Sequence, residues 1–151
     1  MTLRNTVIAF FLILAAVVIT KTGGDGATAR TPTGTSRTVL CSVLPQRVTK
    51  ADNRIIAAGR FQCDAPGPDG LTFTVHLQRN DNGQWTTLSG QAFVANGQST
   101  TLDRSAAERT KQVSVPCAAG TYRTWVEGSV YDNGVTRKLS RSGGERRNPC
   151  G

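Results

Sequence analysis

The sequence is poor in the side chains that do acid–base or metal chemistry. It has one histidine, His76, and four cysteines of which no two lie close together. Zinc knuckles place paired Cys or His ligands about two to four residues apart. Cys41, Cys63, Cys117 and Cys150 are instead separated by 22, 54 and 33 positions, which sets zinc aside. No cofactor motif is present, so no cofactor is expected. Aromatics are scarce, with Phe 5, Trp 2 and Tyr 2, and only one short stretch has helical periodicity, which argues against a helical bundle. Acidic residues are outnumbered, 10 against 18 basic, for a formal charge of +8. Residues 30–151 keep +7 of it. Such a surface favours polyanions, among them anionic envelope polymers, or serves solubility alone.

No apolar run reaches the roughly 20 residues of a membrane-crossing helix. The longest, Val7 to Ile19, has 13 and follows a short N-terminal stretch carrying Arg4. That is the layout of a secretory leader, and Ala27-Thr28-Ala29 offers a small-residue cleavage site. The site lies ten residues past Ile19, with Lys21 between, so an uncleaved N-terminal anchor helix competes with cleavage. Residues 1–29 are therefore expected to be a signal peptide or membrane anchor, and this segment is the only expected contact with a membrane. No small residue adjoins Cys41 in a lipobox pattern. Residues 30–36 continue a Gly/Thr/Ser-rich tract that reads as a flexible linker. Residues 37–151 form the domain.

Four cysteines in an exported chain predict two disulfides. In Arg54–Cys63 the alternation puts Ile55, Ala57, Phe61 and Cys63 on one face; in Lys111–Cys117 it does the same for Val113, Val115 and Cys117. Both cysteines project from apolar faces, so a Cys63–Cys117 bridge is expected, which leaves Cys41 to pair with Cys150.

Between the cysteines run β-prone segments. Leu71, Phe73, Val75 and Leu77 alternate with Thr72, Thr74, His76 and Gln78. Asn-Gly pairs at 82–83, 96–97 and 133–134 mark hairpins, because a type I′ turn requires positive φ at both central residues. The expected strands include Gln84–Leu88, Gln91–Ala95, Gln98–Leu102, Thr121–Tyr131 and Val135–Ser140. Ser105 and Glu108 fit a capping box. Seven or eight strands result, and they predict an all-β, immunoglobulin-like antiparallel β-sandwich. A small closed barrel is the structural alternative.

The segments Phe61-Gln62-Cys63-Asp64, Phe73 to Arg79 running into Gly83-Gln84-Trp85-Thr86-Thr87, and Cys117-Ala118-Ala119-Gly120-Thr121-Tyr122-Arg123 resemble small secreted β-sandwich proteins of actinobacteria. The resemblance spans about residues 55–130. It implies the sandwich and the Cys63–Cys117 bridge, and carries no activity or site residue. Cys41, Cys150 and the basic tail have no counterpart in it. Gly120-Thr121-Tyr122 also fits a tyrosine corner, although Thr124 stands where an antibody domain has cysteine.

His76 points outward on its strand with no nucleophile motif nearby, so a Ser-His-Asp site is not expected. Asp64 and Asp69 bracket a Pro-Gly-Pro loop that reads as a rigid turn and not as a calcium site. Tyr122, Val126 and Val130 share one face of their strand, with Arg123, Trp125, Glu127 and Tyr131 on the other. Two placements of Trp125 follow: outside, beside Arg123, or inside on a bulged strand. The bulge is the one carried forward for packing. The candidate binding surface is Arg123, Trp125, Tyr131, Arg137, Lys138 and Arg141, combining aromatics suited to sugars or protein hot spots with cations. The basic tail, which extends to Arg146 and Arg147, also serves to keep an edge strand from pairing. No nucleic-acid-binding module is recognisable. The expected function is that of a non-enzymatic extracellular or envelope binding module. The alternative is a secreted inhibitor or effector acting on another protein.

Overall fold

Asn82 (φ 55) with Gly83 (φ 89), and Asn133 (φ 50) with Gly134 (φ 77), take the paired positive φ values of tight hairpins. They reverse a chain that is strand for most of its described length. The computed structural model describes residues 37–151; the leader and linker expected at 1–29 and 30–36 lie outside the described residues. The strands are β1 (Cys41–Pro45), β2 (Thr49–Ala51), β3 (Arg54–Cys63), β4 (Gly70–Asp81), β5 (Gln84–Ala95), β6 (Thr110–Pro116), β7 (Thr121–Asp132), β8 (Val135–Ser142) and β9 (Arg146–Arg147).

β1 and β2 pair antiparallel with the two ends of β3. β6 spans Arg54 to Arg60 of β3 and overlaps both, so β1 and β2 share the opposite edge as one interrupted strand. By the same reasoning β8 and β9 share one edge of β7, since β4 occupies the other. Seven continuous strands result, in two antiparallel sheets: β1/β2–β3–β6 and β5–β4–β7–β8/β9.

Alternation then fills the space between the sheets. Ile55, Ala57 and Phe61 from the first meet Leu71, Phe73, Val75, Leu77, Tyr122, Val126 and Val130 from the second, all buried. Phe61 and Phe73 pack edge to face, 5.3 Å between ring centroids. Gly59 faces this core where a Cβ would sit 2.5 Å from Val126 Cγ1 and 3.0 Å from Phe73 Cζ, so the sheets close at this level because the side chain is missing. The Tyr122 hydroxyl donates to the Ala118 carbonyl at 3.0 Å, the tyrosine-corner bond.

The third Asn-Gly behaves differently. Asn96 is extended (φ −155), and only Gly97 has positive φ, so no hairpin forms and the strand expected at Gln98–Leu102 is replaced by a 3₁₀ turn, Gly97–Thr100. Hydroxyls there favour the turn over a ladder: Thr100 Oγ1 donates to Gly97 O and Thr101 Oγ1 to Gln98 O. The segments expected at Gln84–Leu88 and Gln91–Ala95 join into the single strand β5, with a bulge at Leu88 where Leu77 and Gln78 of β4 oppose Ser89 and Thr87. Ser105 and Glu108 make the reciprocal capping bonds, Ser105 N to the Glu108 carboxylate at 3.0 Å and Glu108 N to Ser105 Oγ at 3.3 Å. The Ser105 hydroxyl and amide hold that carboxyl below its ordinary pKa.

Both disulfides form, but with partners other than those expected. Cys41 pairs with Cys63 and Cys117 with Cys150. Cys41 and Cys63 are direct cross-strand neighbours on β1 and β3. Cys117 was rightly placed on an apolar face but at the wrong height. β6 runs antiparallel to β3, with Pro116 opposite Arg54, so Cys117 lies past the start of β3 and Cys63 at its end. About nine residues at roughly 3.3 Å each separate them, near 30 Å, while a bridge spans less than about 7 Å. Asparagine backbone holds Cys117 there, its amide donating to Asn53 O at 3.0 Å.

Candidate functional site

The outer face of the four-stranded sheet is built by the residues that alternate away from the core. β4 contributes Thr72, Thr74, His76 and Gln78, and β7 contributes Arg123, Trp125, Glu127, Ser129 and Tyr131. β7 alternates without interruption, and every second residue from Tyr122 to Asp132 is buried. Trp125 is therefore on the outer face, half-buried, and the expected bulge that would carry it inward is absent. Thr124, Val126 and Gly128 occupy the inner positions, and an indole N–H turned into that apolar layer would need a partner.

Outside, the indole finds a cation. The Arg123 guanidinium lies 4.1 Å from the Trp85 ring centroid and 5.6 Å from that of Trp125, and its Nε donates to Gln78 Oε1 at 2.9 Å. At the adjoining hairpin, Arg79 Nε donates to Asp81 Oδ1 at 2.7 Å. The arginine holds the Asp81 carboxyl below its ordinary value, and Asp81 in turn raises Arg79. One rung along, His76 Nε2 lies 2.7 Å from Glu127 Oε1. Gly90 opposes His76, and a Cβ there would be 2.6 Å from His76 Nδ1, so the ring leans over a bare backbone. A shallow concavity of about 300 Å³ follows, bounded by Thr72, Thr74, Glu127, Ser129, Lys138 and Ser140.

A second feature lies along one side of the sandwich, where the β1/β2 edge meets β8/β9. Arg137 donates to Val39 O, 2.6 Å, and Arg146 to Val48 O, 3.0 Å. Lys50 Nζ reaches Cys150 O at 3.5 Å. Arg141 lies between Arg137 and Arg146 in chain order and Arg47 belongs to the β1–β2 connection, whereas Lys138 and Arg147 alternate to the outer face. Beside these five cations stand Asp132, Glu145 and the exposed Asp52, two residues past Lys50. Asp132 is buried, accepting from Val39 N at 3.1 Å with Arg137 at 3.8 Å; Glu145 is exposed.

The six surface candidates thus divide. Arg123, Trp125, Lys138 and Tyr131 are on the outer face, with Tyr131 half exposed at its far end. Arg137 and Arg141 have the opposite parity and belong to the seam. Sequence reasoning did not bring in Arg47 and Lys50, which reach the seam only through the β1/β2 pairing, nor the pairing of His76 with Glu127, which are 51 residues apart. Asp69 acts in a turn, accepting from Asn133 N at 3.0 Å. Comparison with protein-family models, curated proteins and solved structures finds no match for this chain.

Proposed function

We propose that the domain is a non-enzymatic binding module working outside the cytoplasm on an immunoglobulin-like sandwich, and that it holds a linear polyanion of the cell envelope along the β1/β2–β8/β9 seam. The observation that carries this is the row of five cations, Arg47, Lys50, Arg137, Arg141 and Arg146, beside two exposed carboxylates, Asp52 and Glu145. Arg137 and Arg146 are fixed by carbonyls of the facing edge, which presets the row's spacing and lowers the ordering entropy lost on binding. Strand order supports the immunoglobulin-like description: β6 returns beside β3 after the β4–β5 hairpin, β7 lies beside β4, and a tyrosine corner opens β7. Two disulfides and the apolar leader support export or N-terminal anchoring with the domain outside. A second reading, an inhibitor or effector that engages a protein, is favoured by the Trp85–Arg123–Trp125 stack, since interface hot spots are rich in Trp and Arg.

The test is binding to poly(glycerol phosphate) at graded salt. With four phosphates neutralised, affinity is expected to fall about fiftyfold between 50 and 200 mM salt by counterion release. Arg47→Glu/Arg141→Glu, which spares the two arginines bonded to the facing edge, is expected to weaken it at least about tenfold at 50 mM salt. Absence of binding at 50 mM, or binding indifferent to salt, sinks the reading. For export, the intact mass of protein recovered from its host is expected to begin at Arg30, or to remain full-length in the membrane fraction, with cysteines alkylated only after reduction. Free thiols would contradict it.

A further inference from the structure

The free edges of the sheets are not alike. β8/β9 carries Arg137, Lys138, Arg141, Arg146 and Arg147; β1/β2 is interrupted after Pro45 and carries Lys50; β6 is short, carries Lys111 and ends in Pro116. Those are the ordinary devices that stop sheet edges from pairing. β5 is 12 residues long, QWTTLSGQAFVA, with no charge and no proline, and it hydrogen-bonds to β4 alone among the described strands. Its Val94 is 82% exposed, the most exposed large apolar side chain among the described residues. Only the bulge at Leu88 interrupts it.

We propose that two copies of this chain associate through β5, antiparallel about a twofold axis at Gly90, joining two four-stranded sheets into one of eight. The bulge makes this register self-consistent. Facing residues on the flanks are an odd number of positions apart, which in a regular strand sets an outward side chain against an inward one. The extra residue at Leu88 restores the match on both flanks. Trp85 then faces Val94 of the second copy on the outer side, Thr87 faces Ala92, and Thr86 faces Phe93 on the inner side, with each contact repeated by the symmetry. The self-complementary register selects a second copy as the occupant. Two chains of net charge +8 repel over most of their surfaces, and β5 is the free edge strand that carries no charged side chain of its own. Arg123 lies over the Trp85 ring near its N-terminal end, and Lys111 over the Phe93 ring and the Arg104–Glu108 pair sit toward its C-terminal end. The seams would lie at the far ends of the joined sheet, so a dimer presents two of them.

Sedimentation velocity up to about 300 μM reads the association, and hydrogen exchange locates it. Wild type is expected to shift from monomer to dimer as concentration rises, with amides of Leu88–Val94 exchanging more slowly in the dimer. Leu88→Lys/Val94→Lys is expected to weaken the dimer at least about tenfold, while Val135→Lys/Ser140→Lys on the opposite edge leaves it unchanged. A monomer throughout that range, or a dimer indifferent to Leu88→Lys/Val94→Lys, overturns the proposal.

Discussion

Cys63→Ala/Cys117→Ala is expected to lose about 7 kcal/mol of stability, roughly twice the loss of Cys41→Ala/Cys63→Ala or Cys117→Ala/Cys150→Ala. The arithmetic follows the pairing. Cys41–Cys63 closes a loop of 22 residues and Cys117–Cys150 one of 33, each worth about 3.5–4 kcal/mol in the chain-entropy model. Removing both partners of one bridge forfeits one such contribution; taking one cysteine from each forfeits both. A domain of this size has about 5–15 kcal/mol in total, so the cross-pair variant approaches the limit of folding while the matched pairs stay folded. Urea midpoints rank the three variants, with a larger m-value where the unfolded chain has lost a cross-link. The ranking inverts if Cys63 is joined to Cys117, because Cys41→Ala/Cys63→Ala and Cys117→Ala/Cys150→Ala would then each open both bridges.

The same cysteines show what one-dimensional patterning can and cannot reach. Alternation assigns a residue to a face, and it placed Ile55, Phe61 and Cys63 together, as well as Val113 with Val115. It says nothing of height along the strand, which depends on which strands pair and in what direction. The antiparallel β3–β6 register separates Cys63 from Cys117, and the β1–β3 register brings Cys41 opposite Cys63. The Asn-Gly pairs divide on a similar point. Asn82-Gly83 and Asn133-Gly134 lie between strands that pair with each other, and their asparagines pay the small cost of positive φ. Asn96 does not, because the chain after it leaves the second sheet for β6. On the candidate site, Arg123, Trp125, Glu127 and Tyr131 were legible as one face of β7, since that needs only period two. The seam was not, because Arg47, Lys50 and the β8/β9 cations come together through contacts between sheets.

Phe73→Ala is expected to cost about 3–5 kcal/mol, near the top of that range. The ring is fully buried and packs edge to face against Phe61. Gly59, which faces the tip of the ring across the core, has no side chain to move into the space it leaves, and a cavity that cannot collapse costs most. Trp125→Ala supplies the contrast. Were Trp125 inside on a bulged strand, its truncation would belong to the same range as Phe73→Ala. On the outer face its loss is that of a half-buried ring and one side of a cation–π stack, about 1–2 kcal/mol. Thermal or urea unfolding of the two variants side by side therefore reads out the orientation of β7. A Trp125→Ala loss equal to that of Phe73→Ala would place the indole in the core and dismantle the outer-face cluster with it. A loss several-fold smaller, with the near-ultraviolet signal of Trp85 altered, is the result that the Arg123 stack requires.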